Sequence, residues 1–253
     1  MIAVWIVGIS VIFFLGAVFY KQSVQEFRLN QIEWEQRHQL EGLFEERVPI
    51  VVRSAPKSPV WTQEDVMQRD FYGASTAPGT QRTLRDLILD PEGVANWTPD
   101  YRRHLFGTTA AAIWFDKYWA PVIAGTRGWL ADLLPVVGEC WFGPRGLDKV
   151  SSNWQLIVPT EGAIVVSLMT SRSAKWLPPK WKGLLPSKIN RRTVPFADEL
   201  KFMDVIVRTG TALWVPAHWY VAWEAKDGVP PLVCVVDIHN PISWLVSRKA
   251  NGQ

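Results

Sequence analysis

The stretch Ala212–Glu224, ALWVPAHWYVAWE, sets one histidine, His218, among β-forming and aromatic residues just after the turn signal Thr209-Gly210-Thr211. Neutral imidazole is the commonest metal-ligating side chain. An Fe(II) centre that activates oxygen needs two imidazoles and a carboxylate on one face, with open positions beside them. The chain has 4 histidines, namely His38, His104, His218 and His239. His38 and His104 stand in charged, helix-like stretches. His218 and His239, with Asp237 or Glu224 as the carboxylate, are the set that neighbouring strands could assemble, and hydrogen-bonded or exposed histidines are the competing account of both.

Other chemistries lack their residues. FGPRG and VRTG carry no Lys-Ser/Thr and no strand-turn-helix context for a phosphate loop. No Gly-x-Ser-x-Gly elbow and no HExxH pair occurs. The adjacent carboxylates Glu45-Glu46 and Asp198-Glu199 read as solvated faces rather than an acid/base dyad. The 2 cysteines, Cys140 and Cys234, lie in apolar β-like runs without a CxxC spacing, so buried reduced thiols are expected and a disulfide scaffold is excluded. The formal charge of +3 arises from 27 basic and 24 acidic residues scattered along the chain. No basic patch forms, which argues against a nucleic-acid partner. A hydrophobic share of 48% over 253 residues suits a chain with a sizeable core. The 15 tryptophans are many for this length and hint at membrane boundaries or protein interfaces.

The elements that must position any site begin with an apolar segment. Residues 2–20, IAVWIVGISVIFFLGAVFY, carry no charge, and about 20 helical residues cross a hydrocarbon core of about 30 Å. We therefore expect a transmembrane helix over 1–21, anchored by Trp5 at one end and by Tyr20 and Lys21 at the other, with a lipid bilayer as its partner. GAVFYKQ offers no small-x-small cleavage site. Lys21, Arg28 and Arg37 follow the span, which places the bulk of the protein on the positive-inside face. Leu29, Ile32, Leu40 and Leu43 fall near one helical face with no proline between Lys21 and Glu46, so residues 22–46 are expected to form a helical stalk. Beyond it, RVPIVVR is a short strand, and Thr62 and Asp65 form a capping pair for a helix beginning near Gln63. TLRDLIL reads as another helix, and Ala110–Leu134 as a helical pattern broken by Pro121 and Gly128. From Val136 onward the texture changes to short β-runs with Gly/Pro punctuation: VGECWF, WQLIV, AIVVSLM, KFMDVIVRTG, TALWVP, WYVAWE and PLVCVVDI. Such a succession predicts a β-sandwich or barrel behind helices.

Taken in order, RVPIVVRSAPKSPVWTQEDV, TLRDLILD, CWFGPRG, LIVPTEGAIVVSLMTSRSAKWLPP, DVIVRTGTALWVPAHWYVAWE and PLVCVVDIHNP resemble successive segments of the cupin-like JmjC family, over roughly residues 44–246. The resemblance implies a double-stranded β-helix whose active members are iron- and 2-oxoglutarate-dependent oxygenases. It also implies metal-ligand positions: a His and an Asp one residue apart ahead of a Gly-x-Lys turn and a double proline, and a His two residues after a Trp. Placing the double proline on Pro178 and Pro179 puts the turn on Thr170-Ser171-Arg172 and the first two ligands on Ile157 and Pro159. The third falls on Val221, three positions beyond His218. None of these three side chains has a lone pair to give. Arg172 stands where active relatives keep a lysine for the 2-oxoglutarate carboxylate and could hold an anion.

The expected architecture is thus a transmembrane helix and helical stalk, then an α+β domain built on a double-stranded β-helix: helix-rich over 47–135, the barrel over 136–246 and a tail over 247–253. The leading functional expectation is a non-catalytic pseudoenzyme with no cofactor and no metal, a membrane-anchored accessory subunit partnered by other subunits of a membrane complex. A mitochondrial inner-membrane respiratory assembly is the favoured setting, with the soluble domain on the matrix side. An endomembrane or viral membrane is the alternative home. Trp176 and Trp181 in KWLPPKWKG are the expected exposed interface anchors. The alternatives are an oxygenase with displaced ligands His218, His239 and Asp237, and a metal-free module for lipid or a small organic anion.

Overall fold

The structure, a computed structural model, describes residues 5–13, 26–57, 62–70, 76, 83–89, 98–108, 111–127, 136–192, 194–228, 230–240 and 243. Its centre is a pair of facing sheets. One has six strands in the order β1 (Asn30–Glu33), β2 (Ile50–Arg53), β8 (Ala212–Pro216), β5 (Trp154–Glu161), β10 (Leu232–Ile238), β3 (Val136–Phe142). The other has four, in the order β4 (Arg145–Lys149), β9 (Tyr220–Ala225), β6 (Ala163–Met169), β7 (Met203–Arg208). Every pairing among β3 to β10 is antiparallel. The orders 3-10-5-8 and 4-9-6-7 are those of an eight-stranded jelly roll, in which β3 faces β4, β10 faces β9, β5 faces β6 and β8 faces β7. The expected cupin-like β-helix is thus present, and β1 and β2 extend its larger sheet.

Alternation decides what each strand buries. On β10, Val233 and Val235 point into the space between the sheets, where they meet Ile157, Val166, Leu213, Val221 and Trp223. Leu232, Cys234, Val236 and Ile238 point the other way, onto a helical layer. Burial on both faces explains why PLVCVVDI reads as a continuous apolar run. The layer contains α2 (Leu40–Glu45), α5 (Pro99–Thr108), α6 (Ala111–Tyr118) and α7 (Ala120–Arg127). Pro121 sits in the first turn of α7, where a missing N–H costs nothing. The helices α3 (Gln63–Gln68) and α4 (Leu84–Leu89) lie between α2 and α5 in the chain and add Val66 and Leu84 to the same core. The expected capping box forms at α3: Thr62 Oγ1 accepts from the Asp65 N–H at 3.1 Å and the Thr62 N–H donates to Asp65 Oδ2 at 3.0 Å.

One expectation needs correction. The helical stalk over 22–46 does not hold for its described part: Asn30–Glu33 pairs in parallel with Ile50–Arg53, followed by a 3-10 turn over Trp34–Gln39 and the short α2. Ile32, Leu40 and Phe44 are buried against the sheet and helices rather than aligned along a free-standing helix, so tertiary pairing overrides local propensity. The tryptophan content also has an internal explanation. Trp114, Trp119, Trp154, Trp214, Trp219 and Trp223 are all buried. Trp119 meets Trp34 at 4.9 Å and Trp214 at 5.5 Å between ring centroids, both edge to face.

Residues 5–13 are helical and form α1, and among the described residues no helix is long and apolar enough to cross a membrane. The remainder of the expected span, with its anchors Tyr20 and Lys21, lies outside the described residues, as does the tail over 247–253.

Candidate functional site

The positions that the JmjC resemblance assigns to metal ligands lie on β9 and β5. Val221 is fully buried, and it lies opposite Asp148 of β4 on one side and Leu168 of β6 on the other. Ile157 and Pro159 belong to β5 in the other sheet, where they pair with Val235 and Val233. Ile157 shares the apolar core with Val221 from across the sandwich. Pro159 is tolerated inside β5 because the ladder with β8 reaches only Ile157 and the ladder with β10 is irregular at Val233. The three positions are therefore not lateral neighbours. The residue beside Val221 that does carry a lone pair is Asp148, a carboxylate that sequence reading passed over.

A fixed cation accompanies that carboxylate. Arg145 lies opposite Trp223 on the same ladder, so both face inward. Its guanidinium carbon stands 4.8 Å from the centroid of Trp141 and 5.1 Å from that of Trp223, and Nη2 donates to Asp148 Oδ2 at 3.0 Å. The two indoles meet edge to face at 5.7 Å, and Trp223 Nε1 donates to the Gly143 carbonyl at 3.2 Å. Arg102 of α5 reaches around edge strand β3, with its guanidinium carbon 3.7 Å from the Trp141 centroid and Nε donating to Glu139 at 3.2 Å. Arg103 adds a second contact to Glu139 at 3.4 Å. This side of the sandwich, between β3 and β4, is thus closed by a stack of guanidinium and indole groups whose charges are internally paired.

The arrangement does not fit a divalent metal. Ile157, Pro159 and Val221 offer no donor, and a dication beside Asp148 would meet the Arg145 guanidinium. Among the described residues no group of three or more His, Cys, Asp or Glu side chains is arranged to hold a metal ion.

The displaced set fares no better. His218 occupies the β8–β9 turn with φ of +69°, and its N–H donates to the Val150 carbonyl at 2.9 Å. Burial holds its imidazole below the usual histidine range, helped by the nearby positive charges of Lys149 and Arg47. Those charges oppose cation binding. His239 is buried at the end of β10, and desolvation lowers its imidazole despite the pull of Asp237 in the other direction. Asp237 accepts from Ser152 Oγ at 2.6 Å and from Gln155 Nε2 at 2.9 Å, so its role is to satisfy buried polar neighbours. Glu224 accepts from the Ser187 hydroxyl and N–H and pins a surface loop.

Arg172 is exposed in the loop after β6, not directed into the interior. Trp176 and Trp181 are half-buried rather than free interface anchors. Trp181 packs edge to face on Tyr220 at 5.0 Å, and Trp176 lies 5.2 Å from Phe196, within a strap over the outer face of the four-stranded sheet. The strap seats against Gly146, where a Cβ would lie 2.0 Å from the Gly183 carbonyl oxygen.

No family model matches the chain, and no curated protein does. Among solved structures, hydroquinone 1,2-dioxygenase from Sphingomonas sp. TTNP3 with 4-hydroxybenzoate bound aligns at 15% identity and a TM-score of 0.28, over 42% of this chain and 59% of that one. The CENP-C cupin domain of Drosophila melanogaster aligns at 7% identity and a TM-score of 0.25, over 42% and 59%. The same protein's complex with CAL1 gives 6% identity and 0.26, over 40% and 58%. The alignments thus span less than two thirds of those chains, and the assignment to the cupin-like jelly-roll class rests on the strand order itself.

Proposed function

We propose that this protein is a non-catalytic, membrane-anchored accessory subunit whose JmjC-like jelly roll has lost its metal. The observation that carries the reading is the place beside Val221, where the carboxylate of Asp148 is engaged by a guanidinium held between Trp141 and Trp223. An enzyme of the oxygenase type would need donors and open coordination positions there; this chain supplies a permanent cation and aliphatic packing. The apolar segment over residues 1–21 supports the anchor. In its described part Trp5, Ile6, Val7, Ile9, Val11, Ile12 and Phe13 are exposed by 50% to 79%, a surface that water does not favour. The setting we infer is an inner mitochondrial membrane assembly of the respiratory-chain kind, with the jelly roll on the matrix side, supported by the basic residues that follow the span.

Gentle detergent extraction, sizing on a native gel and elemental analysis of the band test the reading. Co-migration with a large complex, without stoichiometric iron assignable to this chain, is expected. A small species carrying about one iron per chain would overturn it, because Fe(II) binding requires donors and open positions that this reading denies the chain.

A further inference from the structure

The two sheets are unequal, and among the described residues the inequality leaves a strand-sized space. Strands β3, β10, β5 and β8 face β4, β9, β6 and β7, while β2 and β1 continue the larger sheet with no strand opposite them among the described residues. A cavity of about 550 Å³ lies at this overhang. Its floor takes alternate residues, Leu29 and Gln31, then Val51 and Arg53, so it is the inner face of β1 and β2. Its wall takes the consecutive residues Met203, Asp204, Val205 and Ile206, which only the edge of a strand can present.

Among the described residues that edge is unpaired. The Thr209 N–H donates to the Gly162 carbonyl, which fixes the antiparallel register of β6 with β7. Residues of the same parity bond to β6, so the N–H and C=O groups of Asp204, Ile206 and Arg208 point away from it, into the groove. Such an edge is a template for a further strand. At one end, beside the β7–β8 turn, stand Arg53 and Arg208, both exposed and neither in an ion pair among the described residues. Ala55 bonds to Gly210 there at 2.8 Å and holds β2 to the turn.

We propose that one extended segment of a partner subunit docks in this groove, adding a strand to β7, laying alternate apolar side chains on Leu29, Val51 and Val205, and placing a carboxylate on Arg53 and Arg208. The proposal rests on the accessory-subunit reading. An acyl chain is disfavoured because it would cover the β7 amides without bonding them, at the cost of desolvation. A second copy joined edge to edge through β7 is disfavoured too, because its own β8 would fall where β2 lies. A lone strand has no second layer and fits.

A photo-crosslinking residue introduced at Ile206, which is 48% exposed, with a control at Ile113 on α6, 72% exposed, tests this in the detergent-extracted native assembly. The expected product joins Ile206 to one heterologous segment of alternating apolar pattern with Asp or Glu toward the arginine end. Its yield falls about tenfold in the Arg53→Glu/Arg208→Glu variant, corresponding to about 1.4 kcal/mol, while the control product is unchanged. A crosslink from Ile206 to a second copy or to lipid, or no product in an assembly still intact on the native gel, overturns the groove proposal alone. Absence of any assembly removes the accessory-subunit reading and this proposal with it.

Discussion

The two open sides of the sandwich present the same ingredients with opposite outcomes. Between β3 and β4, two edge strands approach each other, and the chain closes the gap with Arg145, Arg102, Trp141 and Trp223, pairing the charges with Asp148 and Glu139. Between β7 and the β1–β2 overhang, edge strand and arginines are also present, but among the described residues Arg53 and Arg208 remain exposed and the outer β7 amides stay unpaired. A guanidinium that is stacked and hydrogen-bonded within its own fold belongs to the core. One at the end of an apolar groove is free to recognise an outside anion. The contrast assigns stability to the first side and interaction to the second.

The strongest way to break this contrast is to remove a member of the closed side. Trp223 is fully buried and its indole N–H is satisfied by Gly143. Trp223→Ala leaves a cavity beside Arg145 and is expected to cost about 3–5 kcal/mol in chemical denaturation. Arg208→Ala on the open side should leave the unfolding midpoint where it is, because the side chain is exposed and unpaired among the described residues. Equal losses in the two variants would show that the open side is as much a part of the folded core as the closed one.

A smaller effect should follow at the strap beside the closed side. Any Cβ at Gly146 meets backbone rather than a movable side-chain end. Gly146→Ala therefore has to lift the segment around Gly183, breaking the Gly183 N–H to Leu147 bond of 2.9 Å and the Leu147 N–H to Leu184 bond of 2.7 Å. Overpacking of this kind costs about 1–3 kcal/mol. Limited proteolysis should then cut between Leu177 and Asn190. A strap that stays protected would mean that β4 itself moves instead.

Much of the barrel is legible in the sequence because its strands are apolar on one or both faces. AIVVSLM and PLVCVVDI sit where their pattern places them, and the Thr62–Asp65 cap forms as its spacing predicts. β4 is not legible: RGLDK carries three charges, and its inward residues Arg145 and Asp148 are acceptable only because they satisfy each other between two indoles. β1 misleads for another reason, since its partner β2 lies twenty residues away and its apolar spacing also suits a helix. The site follows the same logic. The JmjC resemblance groups Val221 with Ile157 and Pro159, whereas the ladders set Val221 beside Asp148 and leave Ile157 and Pro159 on the other sheet. Sheet order brings β4 to β9, and no motif local to β5 encodes that adjacency.

The smallest expected effect concerns protons and sharpens the role of the cations around the β8–β9 turn. His218 and His239 are held below the usual histidine value of 6.5, first by burial and, for His218, also by Lys149 and Arg47. The unfolded chain therefore binds protons before the folded one does. The histidine contribution to stability is complete above about pH 6.5 and declines as pH falls from there through the lower folded-state values. Urea midpoints measured from about pH 7.5 down to about pH 5, above the range of ordinary carboxylates, should fall with acidification. The fall should flatten in His218→Asn/His239→Gln, where asparagine is chosen because it tolerates the positive φ at position 218. An unchanged slope in that variant would mean that the two imidazoles titrate alike in both states, and that Lys149 and Arg47 exert no field on the turn.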